Sequence, residues 1–200
     1  MVGQICPTFY AIYKNMKYLV IDACARRDSR TKRLYEEYIK DKTDVKIIKL
    51  YDLNLKPLDE AGIKERDSYK AKGDFSSSLF EPARDFKEAE NIIIAAPYWD
   101  LSFPSILKVY FENISIGGLT FGYDEKGSIV GYCKAKKLIY FTTCGGKLNR
   151  HFGYEYVSEL VKTFFGVKET YNYYIDMLDI DPTKSEKLLT DGIEKIMKEI

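Results

Sequence analysis

The chain has 200 residues, enough for one domain with a substantial core, and 46% apolar and 30% charged residues mark an ordinary globular composition. A formal net charge of +1 offers no general attraction to nucleic acid or to an anionic membrane surface. No apolar run approaches the roughly 20 residues that a membrane-spanning helix needs.

Residues 1–15, MVGQICPTFYAIYKN, lack a basic leader followed by a long apolar stretch, so they read as an N-terminal arm or extension rather than an export signal. Residues 16–200 then form a single domain. The cysteines at 6, 24, 133 and 144 show no close-paired spacing, and the expectation is reduced thiols in the cytoplasm. With a single histidine and dispersed cysteines, no ligand spacing for zinc or an iron–sulfur cluster exists, so no metal is expected.

Strands and helices alternate along the chain. Tyr18-Leu19-Val20-Ile21 is a compact apolar strand, followed by a polar loop from Asp22 to Ser29. From Thr31 the pattern turns helical, with Leu34, Tyr35, Tyr38 and Ile39 on one side. Val45 to Leu50 is a second strand. Residues 51–82 hold Pro57, Gly62, Gly73 and three consecutive serines, and they read as a long irregular surface excursion.

Asn91 to Ala96 is a third strand whose unbroken run of β-branched residues implies burial on both faces, as in a parallel sheet. Pro104 is suited to open a helix that runs to about Ile116 and ends at Gly117-Gly118. Phe121 to Val130 reads as a small hairpin turning at Asp124 to Gly127. A fourth strand covers Lys137 to Thr142. Tyr154 to Phe165 is an amphipathic helix stopped by Gly166, a fifth strand runs from about Glu169 to Ile175, and a last helix begins near Thr183.

Five strands separated by helices predict an α/β fold, a three-layer, doubly wound, five-stranded parallel sheet of order 2-1-3-4-5. Ligands bind such sheets beyond the carboxyl ends of the strands, at the switch in strand order. That rule selects Asp22–Thr31, Pro97–Pro104 and Thr142–His151.

Each segment has its own chemistry. The first opens a helix, where free N–H groups and the helix dipole favour a phosphate; Arg26, Ser29 and Thr31 add charge and hydroxyl donors. Ser29 is equally suited to cap the helix. The second holds the only tryptophan of the chain among other aromatics, a place for a flat ring or for a hydrophobic plug between helices. In the third, the glycine pair allows backbone to approach a ligand closely.

Together these segments resemble the FMN-dependent NAD(P)H:quinone reductases and azoreductases of flavodoxin-like fold. The resemblance runs from about Met16 to Ile180 and is carried by AAPYWDLSFPSILKVYFENI, LTFGYDEKG and IYFTTCGG. It implies FMN as bound cofactor, with NADH or NADPH as co-substrate and a small quinone-like, azo or nitroaromatic acceptor reduced in a ping-pong cycle. It also implies an FMN phosphate held by Ser29 and Thr31, beside Arg26. The isoalloxazine would lie on Pro97, Tyr98, Trp99, Asp100 and Leu101, and its pyrimidine side on Thr143, Cys144, Gly145 and Gly146. A homodimer is the usual assembly of that family. Two positions depart from it: Cys24-Ala25-Arg26 stands where Ser-Pro-Arg is common, and Asp100 stands where an Asn is frequent. His151, just beyond the glycine loop, is the candidate proton donor to a reduced acceptor, or else a surface or capping residue.

Other readings remain open from sequence. Cys24 and Arg30, separated by five residues in a strand-to-helix loop, resemble the phosphate loop of low-molecular-weight cysteine phosphatases, with Asp181 in the place of their general acid. A non-enzymatic FMN-binding electron carrier, usually far more acidic, is a second alternative. A binding module that has lost FMN is a third.

Overall fold

The computed structural model describes residues 16–200, so the expectation of an arm at 1–15 lies outside the described residues. Strand β1 (Tyr18–Asp22) lies between β2 (Val45–Lys49) and β3 (Asn91–Ala95), followed by β6 (Lys137–Thr143) and β7 (Glu169–Ile175). All four pairings are parallel. In order of these five strands the sheet therefore runs 2-1-3-4-5, as the sequence pattern predicts. The register is flush: Asp22 lies beside Ala95, and Ala95 beside Phe141.

Both faces of the sheet are buried because alternate residues of each strand feed different cores. Leu19, Ile21, Ile92, Ile94, Leu138 and Tyr140 share a cluster with residues of α3 (Glu81–Glu88), α4 (Ser105–Ile114) and α5 (Phe152–Leu160). Val20, Ile93, Ile139 and Phe141 pack with α1 (Arg30–Ile39) and α6 (Ser185–Glu199). Burying one such isoleucine contributes about 1.5–3 kcal/mol, so the continuous apolar runs account for the three layers.

The segment 51–82 is more regular than expected. It contains α2 (Glu60–Lys70), started by Asp59, whose Oδ1 accepts from Gly62 N at 2.8 Å. None of the residues of α2 is buried, so the helix leaves no apolar periodicity in the sequence. The pattern assigns no element to 83–90, yet α3 forms there with Pro82 in its first turn and Phe86 buried. Strands β4 (Phe121–Tyr123) and β5 (Ile129–Gly131) form the expected hairpin, whose turn is held by Asp124 Oδ1 accepting from the N–H groups of Lys126 and Ser128, both at 2.8 Å. Helix α5 passes into a π-helical turn, Val161–Phe165, and ends at Gly166 with φ 78°, a left-handed conformation that suits glycine. Among the described residues no helix is long and apolar enough to cross a membrane.

Candidate functional site

Parallel pairing continues past the strand ends and draws the loops to one rim. Ala23 N donates to Ala95 O at 2.9 Å, Ala96 N to Phe141 O at 3.0 Å, Tyr98 N to Thr143 O at 3.1 Å and Cys144 N to Ile175 O at 2.9 Å. Four loops therefore leave the sheet side by side, above the switch between β1 and β3.

The first loop is shaped by the buried carboxylate of Asp22. Its Oδ1 accepts from Cys24 N at 2.8 Å and its Oδ2 from the Tyr35 hydroxyl at 2.9 Å. The loop then enters α1 at Ser29, whose hydroxyl makes no capping bond to the helix. In the first turn Lys32 N donates to Ser29 O at 3.1 Å, while the N–H groups of Arg30 and Thr31 have no intrahelical partner; the Ser29 hydroxyl lies against the Cys24 thiol.

In the second loop, Trp99 N donates to Ser102 O at 3.1 Å and Ser102 N to Trp99 O at 2.7 Å. Such a tight turn forces its two central residues left-handed, and Asp100 and Leu101 have φ of 49° and 66°. Asp tolerates this conformation; Leu is strained by it. Strain of this kind is characteristic of ligand-holding turns. It also leaves Trp99 44% and Leu101 56% exposed.

The third loop is fastened on both sides. Thr143 Oγ1 lies 2.6 Å from Thr31 Oγ1, a buried bond between β6 and α1. The segment after β7 zips onto the glycines: Met177 N donates to Gly146 O at 3.0 Å, Leu178 N to Cys144 O at 3.2 Å and Asp179 N to Gly145 O at 2.8 Å. A Cβ on Gly145 would come within 2.1 Å of Asp179 Oδ2, so any larger residue there displaces that carboxylate.

Between these loops lies a cleft of about 410 Å³, within the range of small-ligand and cofactor sites. Of the sequence-selected residues it brings together Arg26, Ser29, Pro97, Tyr98, Trp99, Thr143 and Gly145. Thr31 lies behind the wall, engaged with Thr143. Cys144 is buried beneath the loop, and Asp100, Leu101 and Gly146 stand outside the lining. His151 lies beyond Tyr98, whose hydroxyl donates to Arg150 O at 3.1 Å and whose ring also borders a second, smaller cavity with His151.

Sequence reasoning missed one acidic member of the cleft, Asp179, and the placement of Arg30; Asp28 lines the cleft as well. Arg30 donates to Leu178 O at 3.2 Å and to Ser185 Oγ at 3.3 Å, and pairs with Asp179 at 2.8 Å. The signal for Asp179 is available: the rule that selects carboxyl ends applies to the fifth strand as well.

The phosphatase reading fails on this geometry. Burial, and next the Asp22 carboxylate, push the Cys24 thiol far up, whereas a nucleophilic cysteine needs the opposite. Arg30 is committed to the β7–α6 segment, and Asp181 is held below the usual carboxylate range by Lys184 and Thr183, unlike a general acid. Among the described residues no cluster of His, Cys, Asp and Glu is arranged to hold a metal ion.

The sheet order, the flush rim and the cleft at the switch point define an open α/β ligand-binding domain. The family of flavodoxin-like fold matches residues 16–200, and the chain belongs to that family. An FMN-dependent NADH:quinone oxidoreductase of Clostridium perfringens is 34% identical over 165 residues, covering 80% of this chain and 82% of the relative. FMN-dependent NADH:quinone oxidoreductase 2 of Clostridium acetobutylicum is 33% identical over 192 residues, covering 90% and 95%. The same fold is found in an azoreductase from Bacillus anthracis str. Sterne, with TM-score 0.74, 23% identity and coverage of 92% and 97%. An FMN-dependent NADH-azoreductase from Bacillus anthracis str. Ames Ancestor, in complex with FMN, has TM-score 0.71, 20% identity and coverage of 91% and 98%.

Proposed function

We propose that this chain is an FMN-dependent NAD(P)H oxidoreductase that reduces quinone-like, azo or nitroaromatic acceptors, working in the cytoplasm as a homodimer. The observation that carries the reading is the convergence of helix N-terminus, strained aromatic turn and glycine loop on one cleft. The names of the relatives, FMN-dependent NADH:quinone oxidoreductases, support the same activity.

The residues present fit FMN. The Ser29 hydroxyl at the mouth of α1 and the N–H groups of Arg30 and Thr31 suit the phosphate, with Arg26 adding charge beside them. Asp28 and Asp179 oppose a dianion, but Asp179 is neutralised by Arg30. The backbone of the Trp99–Ser102 turn and the exposed Trp99 ring suit a flat heterocycle, and Thr143 and Gly145 offer a hydroxyl and close backbone at its polar edge.

Bound FMN supplies hydride-type two-electron transfer between a reduced nicotinamide and an oxidised acceptor, taken in turn. The protein binds the two substrates successively at the same open face and excludes side reactions by orientation. His151 holds the proton that a reduced acceptor takes up. The exposed side chains of Trp99, Leu101, Phe152 and Tyr156 near the cleft give a second subunit an apolar surface to cover.

The test is an absorption spectrum of protein mixed with FMN and separated from free flavin, then titrated anaerobically with NADH or NADPH. Bound flavin that bleaches with the nucleotide and recolours with a quinone is the expected result. Failure to bind FMN overturns the reading; binding without bleaching leaves an electron carrier. Light scattering of the eluted protein tests the dimer.

A further inference from the structure

The last strand carries a row of polar side chains that the flavin reading does not use. Thr170, Asn172 and Tyr174 alternate onto one side of β7, and each meets α5 or the residue that starts it. Thr170 Oγ1 lies 3.0 Å from the Tyr154 hydroxyl and 2.8 Å from Ser158 Oγ. Asn172 Nδ2 lies 2.9 Å from His151 Nδ1. The Tyr174 ring meets the imidazole nearly edge-on, with centroids 5.1 Å apart and planes at 70°.

Two buried polar atoms in this region, Thr142 Oγ1 and Asn172 Oδ1, have no hydrogen-bond partner among the described residues. Both residues line the small cavity beside His151 and Tyr140, whose volume is about 10 Å³. A single water needs roughly 10–15 Å³ and two or more polar partners, so the cavity meets the requirement with little to spare.

An amide presents a donor at one end and an acceptor at the other. With Nδ2 facing the ring, Nδ1 must accept, and the neutral imidazole carries its proton on Nε2. When both ring nitrogens are protonated, Nδ1–H needs an acceptor, and Oδ1 is the atom that can serve. A half-turn of the amide supplies it. Nδ2 then faces the cavity, where Thr142 Oγ1 has unused lone pairs.

We propose that Asn172 is the positioning residue of His151, its amide reversing as the imidazole gains or loses a proton, with one water in the cavity bound to whichever end faces away. The inference deepens the proton role given to His151 above. The other titratable groups around the ring are Tyr98 from the second loop, Tyr140 from β6, Tyr154 from α5, Tyr174 from β7 and the neighbouring Arg150. Burial keeps the Tyr140 hydroxyl far above its usual range and raises that of Tyr98, so both stay neutral while the imidazole titrates. The nearby carboxylate of Asp176 is engaged by Leu148 N at 3.0 Å.

His151 is the only histidine in the chain, which makes the experiment clean. FMN-loaded protein with isotopically labelled histidine gives one set of imidazole signals, and nitrogen–proton correlation spectra across pH report both the tautomer and the midpoint. In the wild type the neutral ring is expected to carry its proton on Nε2. Asn172→Asp places a permanent acceptor opposite Nδ1, so the neutral proton moves to Nδ1 and the midpoint rises by about one unit or more. Asn172→Ala gives a mixture of tautomers. A wild-type neutral ring protonated on Nδ1, or variants with wild-type tautomer and midpoint, would overturn the proposal. The pH profile of quinone reduction is read alongside. If the spectra shift while that profile does not, Asn172 still positions the ring and the proton role of His151 falls instead.

Discussion

Replacing Thr31 by valine keeps the shape of the side chain and removes the hydroxyl that lies 2.6 Å from Thr143 Oγ1. Thr31 is 0% and Thr143 8% exposed, so water replaces the lost partner poorly. A neutral hydrogen bond is worth about 1 kcal/mol net, and a buried hydroxyl left without a partner brings the loss to about 1–3 kcal/mol. Taking about 2 kcal/mol, and about 2–4 °C per kcal/mol for a chain of this size, the melting midpoint of the flavin-free protein should fall by about 4–8 °C. Thr31→Ser should restore most of it. The double variant with Thr143→Val removes both partners, so it should be more stable than the sum of the single losses by about 1 kcal/mol. Because the bond joins α1 to the loop after β6, both of which line the proposed FMN cleft, FMN affinity should fall in Thr31→Val and recover in Thr31→Ser. Urea melts of the wild type, the three single variants Thr31→Val, Thr31→Ser and Thr143→Val, and the double variant, with flavin fluorescence titrations, decide the matter. A Thr31→Val protein as stable as the wild type, or strictly additive losses, would refute the account of how the two walls are held together.

Gly131→Ala should be among the most damaging single-methyl additions, since its Cβ would lie 2.2 Å from Phe165 C and 2.3 Å from Gly166 N, backbone that cannot step aside. A loss of about 1–3 kcal/mol in a urea melt is expected, and an unchanged midpoint would show that the hairpin is not packed on the π-helical turn. Cys24→Ser should leave NAD(P)H oxidation by quinone intact, because the half-buried thiol is held protonated; loss of the activity would assign the sulfur a role that the structure denies it. Burial raises the Asp85 carboxyl above its ordinary range despite Lys46 at 2.6 Å. A carboxyl raised on folding favours the folded state most below its unfolded value, and that contribution is lost as pH rises through the folded one. Asp85→Asn should therefore gain stability relative to the wild type as pH rises from about 4 towards neutrality. A constant difference between the two urea midpoints across that range would remove Asp85 as the cause.

What could be read from the sequence depended on how local each signal is. The Ile92–Ile94 run and the Tyr18–Ile21 run announce buried parallel strands because burial on both faces leaves no polar alternation. Sheet order and the position of the cleft follow once strands and helices alternate. Helix α2 was illegible because it rests on a cap and on the Glu60–Lys64 pair rather than on an apolar stripe. The role of Thr31 was half legible: a hydroxyl at a helix start suggests a ligand, but its actual partner lies at the end of a distant strand. Arg30 was misleading for the same reason, since its spacing from Cys24 imitates a phosphate loop while its side chain reaches across to Asp179. The pairing of His151 with Asn172 leaves no trace in local pattern, as neither residue type nor spacing marks it.

The wall of the cleft that contains Asp179 comes from near the end of the chain, and β1 at its floor is completed on one side only by β3. A nascent chain leaving the ribosome therefore carries the helix start and the arginines of the first loop long before it has the residues that close over them. Strands β1 and β2 can pair early, but that two-stranded piece has no switch point. On the proposed function, flavin capture on this architecture is a late event, and the appearance of bound-flavin colour during synthesis would time the completion of the fold.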